Sequence, residues 1–245
     1  MSLQLGNAPV SWGIYESQEL PPRYSYSRVL DEIADTDYAG TELGPWGYFP
    51  IDAETLRVEL ERRKLRLVSA YVPINFVDVN AVEAAQSYTL TIARLLADVD
   101  AVTIVLADEN GHVPELVARA GRRVGSALNR EQWDTFGAGV NRIARSVYEE
   151  TGLKSVFHHH CAGHVETPEE VRHLMDRVDS DRVGLCLDTG HYHYGGGDAL
   201  EALKEYGERV RYLHFKDYDP GILHMAQHEK MDYFAAITAG VFCEL

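Results

Sequence analysis

Short runs of β-branched and aliphatic residues alternate along the chain with longer stretches in which apolar positions recur every three or four residues. That is the pattern of parallel strands joined by crossover helices. The runs predict strands at residues 3–10, 40–43, 66–71, 101–106, 154–158, 182–187 and 209–215. Thr167 can cap a helix that has Pro168 at its first position and Glu170 closing a capping box, with Val171, Leu174, Met175 and Val178 on one face. Trp133, Phe136, Val140, Ile143, Ala144 and Val147 repeat at helical spacing, and Asp198 with Glu201 opens a further helix. Residues 108–130, charged and glycine-containing, read as a long loop or short helix, and Gly195, Gly196 and Gly197 as a flexible loop.

Seven strand and helix units in 245 residues come to about 35 residues each, the size of one unit of an eight-fold barrel. A doubly wound sheet is the rival, but PVSWGIYE follows the first strand where a glycine-rich turn would be needed. The predicted fold class is therefore α/β, a TIM (β/α)8-type barrel truncated after about seven βα units, as a single domain over residues 1–245.

Composition narrows the partners. No run approaches the roughly 18 apolar residues of a membrane span, and MSLQLGNAPVSWG lacks a basic region followed by an apolar core, so a cytoplasmic protein without a membrane partner is expected. Basic side chains number 23 against 38 acidic ones, and the net charge of −15 repels a phosphate backbone. No nucleic-acid partner is expected, and the clusters RRK at 62–64 and GRR at 121–123 read as solvated faces. Cys161, Cys186 and Cys243 are widely spaced and odd in number, which predicts reduced, structural cysteines. A homo-oligomer is an allowed state.

In such a barrel, chemistry sits at the C-terminal ends of the strands. Those ends carry Asn7 and Trp12, Glu42, Asn75, Asp108 and Glu109, His158 and His160, Asp188 and His191, then His214 and Lys216. Strand alternation puts His158 and His160 on one face and His159 on the other. An imidazole, a carboxylate and an imidazole on successive strand ends are donors suited to Mn²⁺, Co²⁺ or Zn²⁺, with a fourth ligand still needed. The plainer alternatives are structural: His159 and His193 as satisfied histidines, and Asp188 as a helix cap. Glu42 is balanced between substrate contact and structural ion pair, and Asn75, Asp108 and Glu109 read as structural. Lys216 reads as functional, because an ammonium in a barrel mouth is costly without an anion.

The blocks NAPVSWG, GTELGPWGYFP, FHHHCAGHVETPEEV, LCLDTGHYHYGGGD, VRYLHFKD and AGVFCEL resemble, in order, those of the inosose dehydratase-like branch of the xylose isomerase-like TIM barrels. That superfamily also contains ketose epimerases, sugar isomerases and endonuclease IV. The resemblance implies one divalent metal, Mn²⁺ or Co²⁺ foremost and Zn²⁺ next, held by acids and a histidine on strands five to eight. Asp188 and His214 match two of those ligands, His158 stands where the strand-five Glu is usual, and His191 matches a histidine that contacts substrate oxygens. The strand-eight Glu has no counterpart before Leu245, and Glu244 lies too early to replace it.

The function implied is removal of a proton α to the carbonyl of a polyhydroxy ketone, through an enediolate, leading to inosose dehydration. The expected metal ligands are His158, Asp188 and His214. His160, His191 and Lys216 would exchange protons, with the choice of base left open, and Asn7, Trp12 and Glu42 would contact a cyclitol or sugar. A sugar isomerase or epimerase is the alternative, and a catalytically inactive sugar-binding protein a third reading. An endonuclease-like role would require three metals and a basic groove, against which the charge speaks.

Overall fold

The computed structural model describes residues 4–15 and 23–243. In chain order the first elements are β1 (Gly6–Asn7), α1 (Tyr26–Asp35), β2 (Gly40–Glu42), α2 (Ala53–Glu61), β3 (Arg66–Ser69), β4 (Tyr71–Ile74) and α3 (Val79–Asp98). Next come β5 (Ile104–Asp108), α4 (Pro114–Arg119), α5 (Arg130–Thr151), β6 (Ser155–His158), α6 (Pro168–Met175), β7 (Val183–Asp188) and α7 (Thr189–Tyr194). The remainder are α8 (Ala199–Tyr206), β8 (Val210–His214), β9 (Asp217–Tyr218), α9 (Pro220–His228), α10 (Tyr233–Thr238) and β10 (Phe242–Cys243). The alternation makes the chain α/β, with β1–β2–β3 in one sheet, β4 to β8 in sequence order in another, and β9 paired to β10.

Contacts divide the chain into two compact units, one of residues 1–72, 87–105 and 146–153, the other of residues 73–86, 106–145 and 154–245. In the first, β1 pairs parallel with β2 and β2 with β3. Gly40 is required there, because a Cβ would fall 2.7 Å from the Arg66 carbonyl oxygen of the adjacent strand. Ser25 and Asp52 cap α1 and α2, which bury Val29, Leu30 and Ile33, and Leu56 and Leu60. The cluster at 62–64 is not a wholly solvated face. Arg63 is 4% exposed, with Nε 2.6 Å from Asp31 and Nη1 2.7 Å from Glu59, so its guanidinium fork is satisfied in place.

In the second unit, β6, β7 and β8 are parallel, His158 lying opposite Cys186 and Asp188 opposite His214. Phe76, Trp133, Phe136 and Phe157, all buried, form an aromatic core with neighbouring centroids 5.3–6.0 Å apart. A second apolar cluster gathers Cys161, Ala162, Tyr194, Ala226, Tyr233, Ala236 and Val241, flanked by Phe242.

Several predicted strand limits move. The run 3–10 contracts to β1, with Leu3 outside the described residues, because Pro9 opens a 3-10 turn through Trp12. The strand expected at 101–106 starts only at Ile104: Asp100 adopts left-handed geometry, at φ 57°, and Ala101 still donates to Leu96 of α3. The run 66–71 ends at Ser69, and a further strand, β4, starts at Tyr71 despite Pro73. Residues 108–130 contain the short helix α4. The glycine run is not a loose loop: a Cβ on Gly195 would meet the Glu166 carbonyl oxygen at 2.4 Å, and one on Gly197 the Tyr192 ring at 2.3 Å.

The capping box of α6 is formed on both sides, Thr167 accepting from the Glu170 amide and Glu170 from the Thr167 amide. Thr167→Ala is expected to lower stability by about 1 kcal/mol in chemical denaturation, with an unchanged m-value.

Candidate active site

The site of the second unit is organised by the end of β7. All six residues of that strand are buried, and Asp188, 1% exposed, is both its last residue and the N-cap of α7. Its two oxygens have separate duties. Oδ1 accepts from the His191 amide at 2.9 Å, which fixes the first turn of α7 and brings the His191 ring back beside the carboxylate. Around Oδ2 stand His158 Nε2 at 3.5 Å, Lys216 Nζ at 3.7 Å, and His191 Nε2 and His214 Nδ1, each at 4.0 Å.

Neighbouring contacts hold those groups in place. Thr189 Oγ1 donates to the Lys216 carbonyl at 2.7 Å and accepts from the Lys216 amide at 3.0 Å, clamping the end of β8 to the start of α7. Gly190 leaves room for the lysine stem, since a Cβ would lie 2.8 Å from Lys216 Cγ. The Lys216 ammonium also lies 5.6 Å from the centroid of the Phe242 ring, which packs edge-on against His191 at 4.9 Å. His160 donates from Nδ1 to the Cys161 carbonyl at 2.7 Å, and its ring centroid is 3.8 Å from that of His191. His159 accepts from the Asp188 amide through Nε2 at 3.2 Å and meets Tyr192 edge-on, a structural arrangement that serves the carboxylate.

Burial lowers the basicity of four of these imidazoles. It pushes His158 and His160 down to about 4 and His159 to about 3, and it holds His191 well below the ordinary histidine value. Burial opposes the charge of Asp188 too, but His191, Lys216 and His158 outweigh it and keep the carboxyl well below the usual range. At neutral pH Asp188 is an ionised carboxylate among the neutral imidazoles of His158, His159, His160 and His191, with the Lys216 ammonium beside it. Such a set of lone pairs fits a divalent cation.

His158, His160, Asp188, His191, His214 and Lys216 are thus brought together. Asn7, Trp12 and Glu42 lie in the first unit, where each has a local partner. Asn7 Oδ1 accepts from Ala8 and Ser11, Trp12 Nε1 donates to Glu32 at 2.5 Å, and Glu42 Oε1 accepts from Ser69 at 2.9 Å. Asp108 is structural, as expected: it is buried and accepts from the His164 amide and ring at 2.7 and 2.9 Å.

Sequence reasoning missed the group that anchors the loop after β6. Glu166 and Glu170 are fully buried, and Arg123, 4% exposed, lies 2.5 Å from Glu170 and 3.8 Å from Glu166. The cluster at 121–123 is therefore not simply a solvated face. Glu166 accepts from the Gly121 and Ala162 amides, the latter at a non-glycine residue with φ 61°, and Glu170 accepts from the amides of Ala127, Glu166 and Thr167. The TPEE signature gave Glu170 only as a cap partner. Nothing local marked Arg123 as its counter-ion. Sequence reasoning also overlooked Cys186, although period two puts it on the face of Asp188. The cysteines are reduced as expected, Cys161 and Cys186 buried and Cys243 exposed.

The alternating elements and the histidine and acid cluster at successive strand ends describe an α/β barrel enzyme. The chain belongs to the xylose isomerase-like TIM barrel family, whose model matches residues 30–240. It is 31% identical to the inosose dehydratase of Geobacillus kaustophilus (strain HTA426) over 98% of this chain and 77% of that protein. It is 30% identical to that of Clostridium perfringens (strain 13 / Type A) over 98% of this chain and 80% of the relative. Among solved structures, the IOLI protein with a bound zinc atom superposes with a TM-score of 0.65 at 15% identity, over 89% of this chain and 74% of that one. With these relatives the chain is an enzyme of the lyase or isomerase class.

Burial raises the Glu166 carboxyl despite Arg123. A carboxyl raised in the fold contributes stability at low pH that is lost as pH rises through the folded value. Arg123→Ala is therefore expected to cost about 3–5 kcal/mol at pH 7. The deficit should shrink toward the ordinary carboxylate range, as read from urea midpoints at pH 5 and pH 7.

Proposed function

We propose that this sugar-modifying enzyme is a divalent-metal-dependent inosose dehydratase, built as one barrel domain. The observation that carries the reading is the geometry around Asp188 Oδ2. Its neighbours stand at 3.5–4.0 Å, so three imidazoles and an ammonium are gathered about one carboxylate oxygen. The similarity to inosose dehydratases and the zinc atom of the IOLI protein support the same reading.

His158, Asp188 and His214 would hold the ion, which supplies positive charge where negative charge develops on the substrate oxygen. His160 and His191, neutral at pH 7, accept or pass a proton taken from the carbon α to the ketone. Lys216, cationic beside them, donates toward the departing hydroxyl. Phe242 and Tyr233, packed on His191 and His160, keep water from the imidazole pair.

The test is incubation of the protein with Mn²⁺, Co²⁺ or Zn²⁺ and inosose isomers, read by mass spectrometry. Product lighter by one water is expected. Product of unchanged mass that takes up solvent deuterium would assign an isomerase or epimerase instead. Asp188→Asn keeps an oxygen for the α7 cap and removes the charge, so a folded protein is expected with kcat/KM lower by at least about 100-fold. Full turnover in that variant would refute the assignment.

A further inference from the structure

The alternation along β7 gives Gly184, Cys186 and Asp188 one direction and Leu185 and Leu187 the other. Cys186 is fully buried and reduced, and sits opposite His158 in the register of β6 and β7. Its sulfur and one ring nitrogen each of His158 and His214 all lie within 4.8 Å of one another. The same two imidazoles stand 3.5 and 4.0 Å from Asp188 Oδ2. The pair is therefore shared between a carboxylate at the strand end and a thiol two residues earlier.

The other two cysteines differ in kind. The Cys161 thiol donates to the His191 carbonyl at 3.4 Å and belongs to the second apolar cluster, and Cys243 is exposed. The two imidazoles beside Cys186 give its thiol a chemical role. In a tetrahedral zinc site, bonds of about 2.0–2.3 Å separate neighbouring donor atoms by about 3.3–3.6 Å. Donors within 4.8 Å reach that spacing by small side-chain rotations.

Resting on the reading that this site holds a divalent ion, we propose that Cys186 is one of its ligands and that the site selects a thiophilic metal, zinc over manganese. On binding, the thiol proton leaves to solvent and the sulfur coordinates as thiolate together with His158 and His214, the two imidazoles that also face Asp188. Thiolate donors favour Zn²⁺ and Co²⁺ and serve Mn²⁺ and Mg²⁺ poorly, so this one side chain shifts the preference expected of imidazoles and carboxylates alone.

Cobalt titration of the metal-free full chain tests this without recourse to turnover. The wild-type protein is expected to develop both visible ligand-field bands and an intense near-ultraviolet thiolate-to-cobalt charge-transfer band. Cys186→Ala should keep the ligand-field bands and lose the charge-transfer band, whereas Cys243→Ser should keep both. Competition titrations should show zinc affinity falling by at least about tenfold in Cys186→Ala, with manganese affinity changed less than about threefold. Ligand-field bands without charge transfer in the wild type would overturn the role of Cys186 and leave the metal site standing. Absence of both would overturn the metal reading together with it. The wild-type spectrum alone decides if the alanine variant does not fold.

Discussion

A carboxylate 1% exposed to solvent is stable as an anion only if its surroundings replace the water it has lost, and Asp188 meets that requirement with two kinds of partner. One oxygen accepts from the His191 amide in the first turn of α7, a donor that does not titrate. The other faces histidines and a lysine from β6, α7 and the end of β8. Structure and chemistry are thereby tied to one side chain. The cap decides where His191 points, and the clamp of Thr189 on Lys216 decides where the ammonium lies. The strand end, the helix start and the reactive cluster form one local solution.

A second buried charge system keeps the adjoining loop in register. Glu166 and Glu170 each accept from backbone amides on two segments, and Arg123 reduces the repulsion between them. This holds Ala162 in a left-handed conformation that is unfavourable for a residue with a Cβ. His160, just upstream, is fixed by its bond to Cys161 and by the rings of His191 and Tyr233. Buried ionic groups are weak evidence for stability. Here they act as geometric pins, satisfying amides that the loop leaves outside any helix or sheet.

The fold was legible where the signal was periodic. Alternation along β6 separated His158 and His160 from His159, and the structure sends His159 to the Asp188 amide while the other two join the cluster. The capping box of α6 was readable for the same reason, since a cap is encoded within four residues. Strand limits were less so. The start of β5 depends on how α3 ends, with Asp100 in a left-handed turn, and β4 carries Pro73 as an edge strand of its sheet, where a missing amide donor is tolerated. In the glycine run expected to be a flexible loop, Gly195 and Gly197 allow close approach of a backbone and a ring, whereas Gly196 has open space and a left-handed φ of 90°.

Charge shows the same division between what composition carries and what geometry carries. A net charge of −15 speaks to long-range encounters with polyanions and is silent on a buried cluster. Arg63 and Arg123 lie in the most basic stretches of the sequence, yet both side chains are 4% exposed and answer to specific acids. Conversely, His158, His160 and His191 near Asp188 contribute no positive charge at neutral pH, because burial costs more than the carboxylate returns. Counting histidines as cations would make the site repel a metal ion. Counting them by their surroundings makes them donors, and burial at the ends of β6 to β8 turns a histidine-rich sequence into a cation-receptive site.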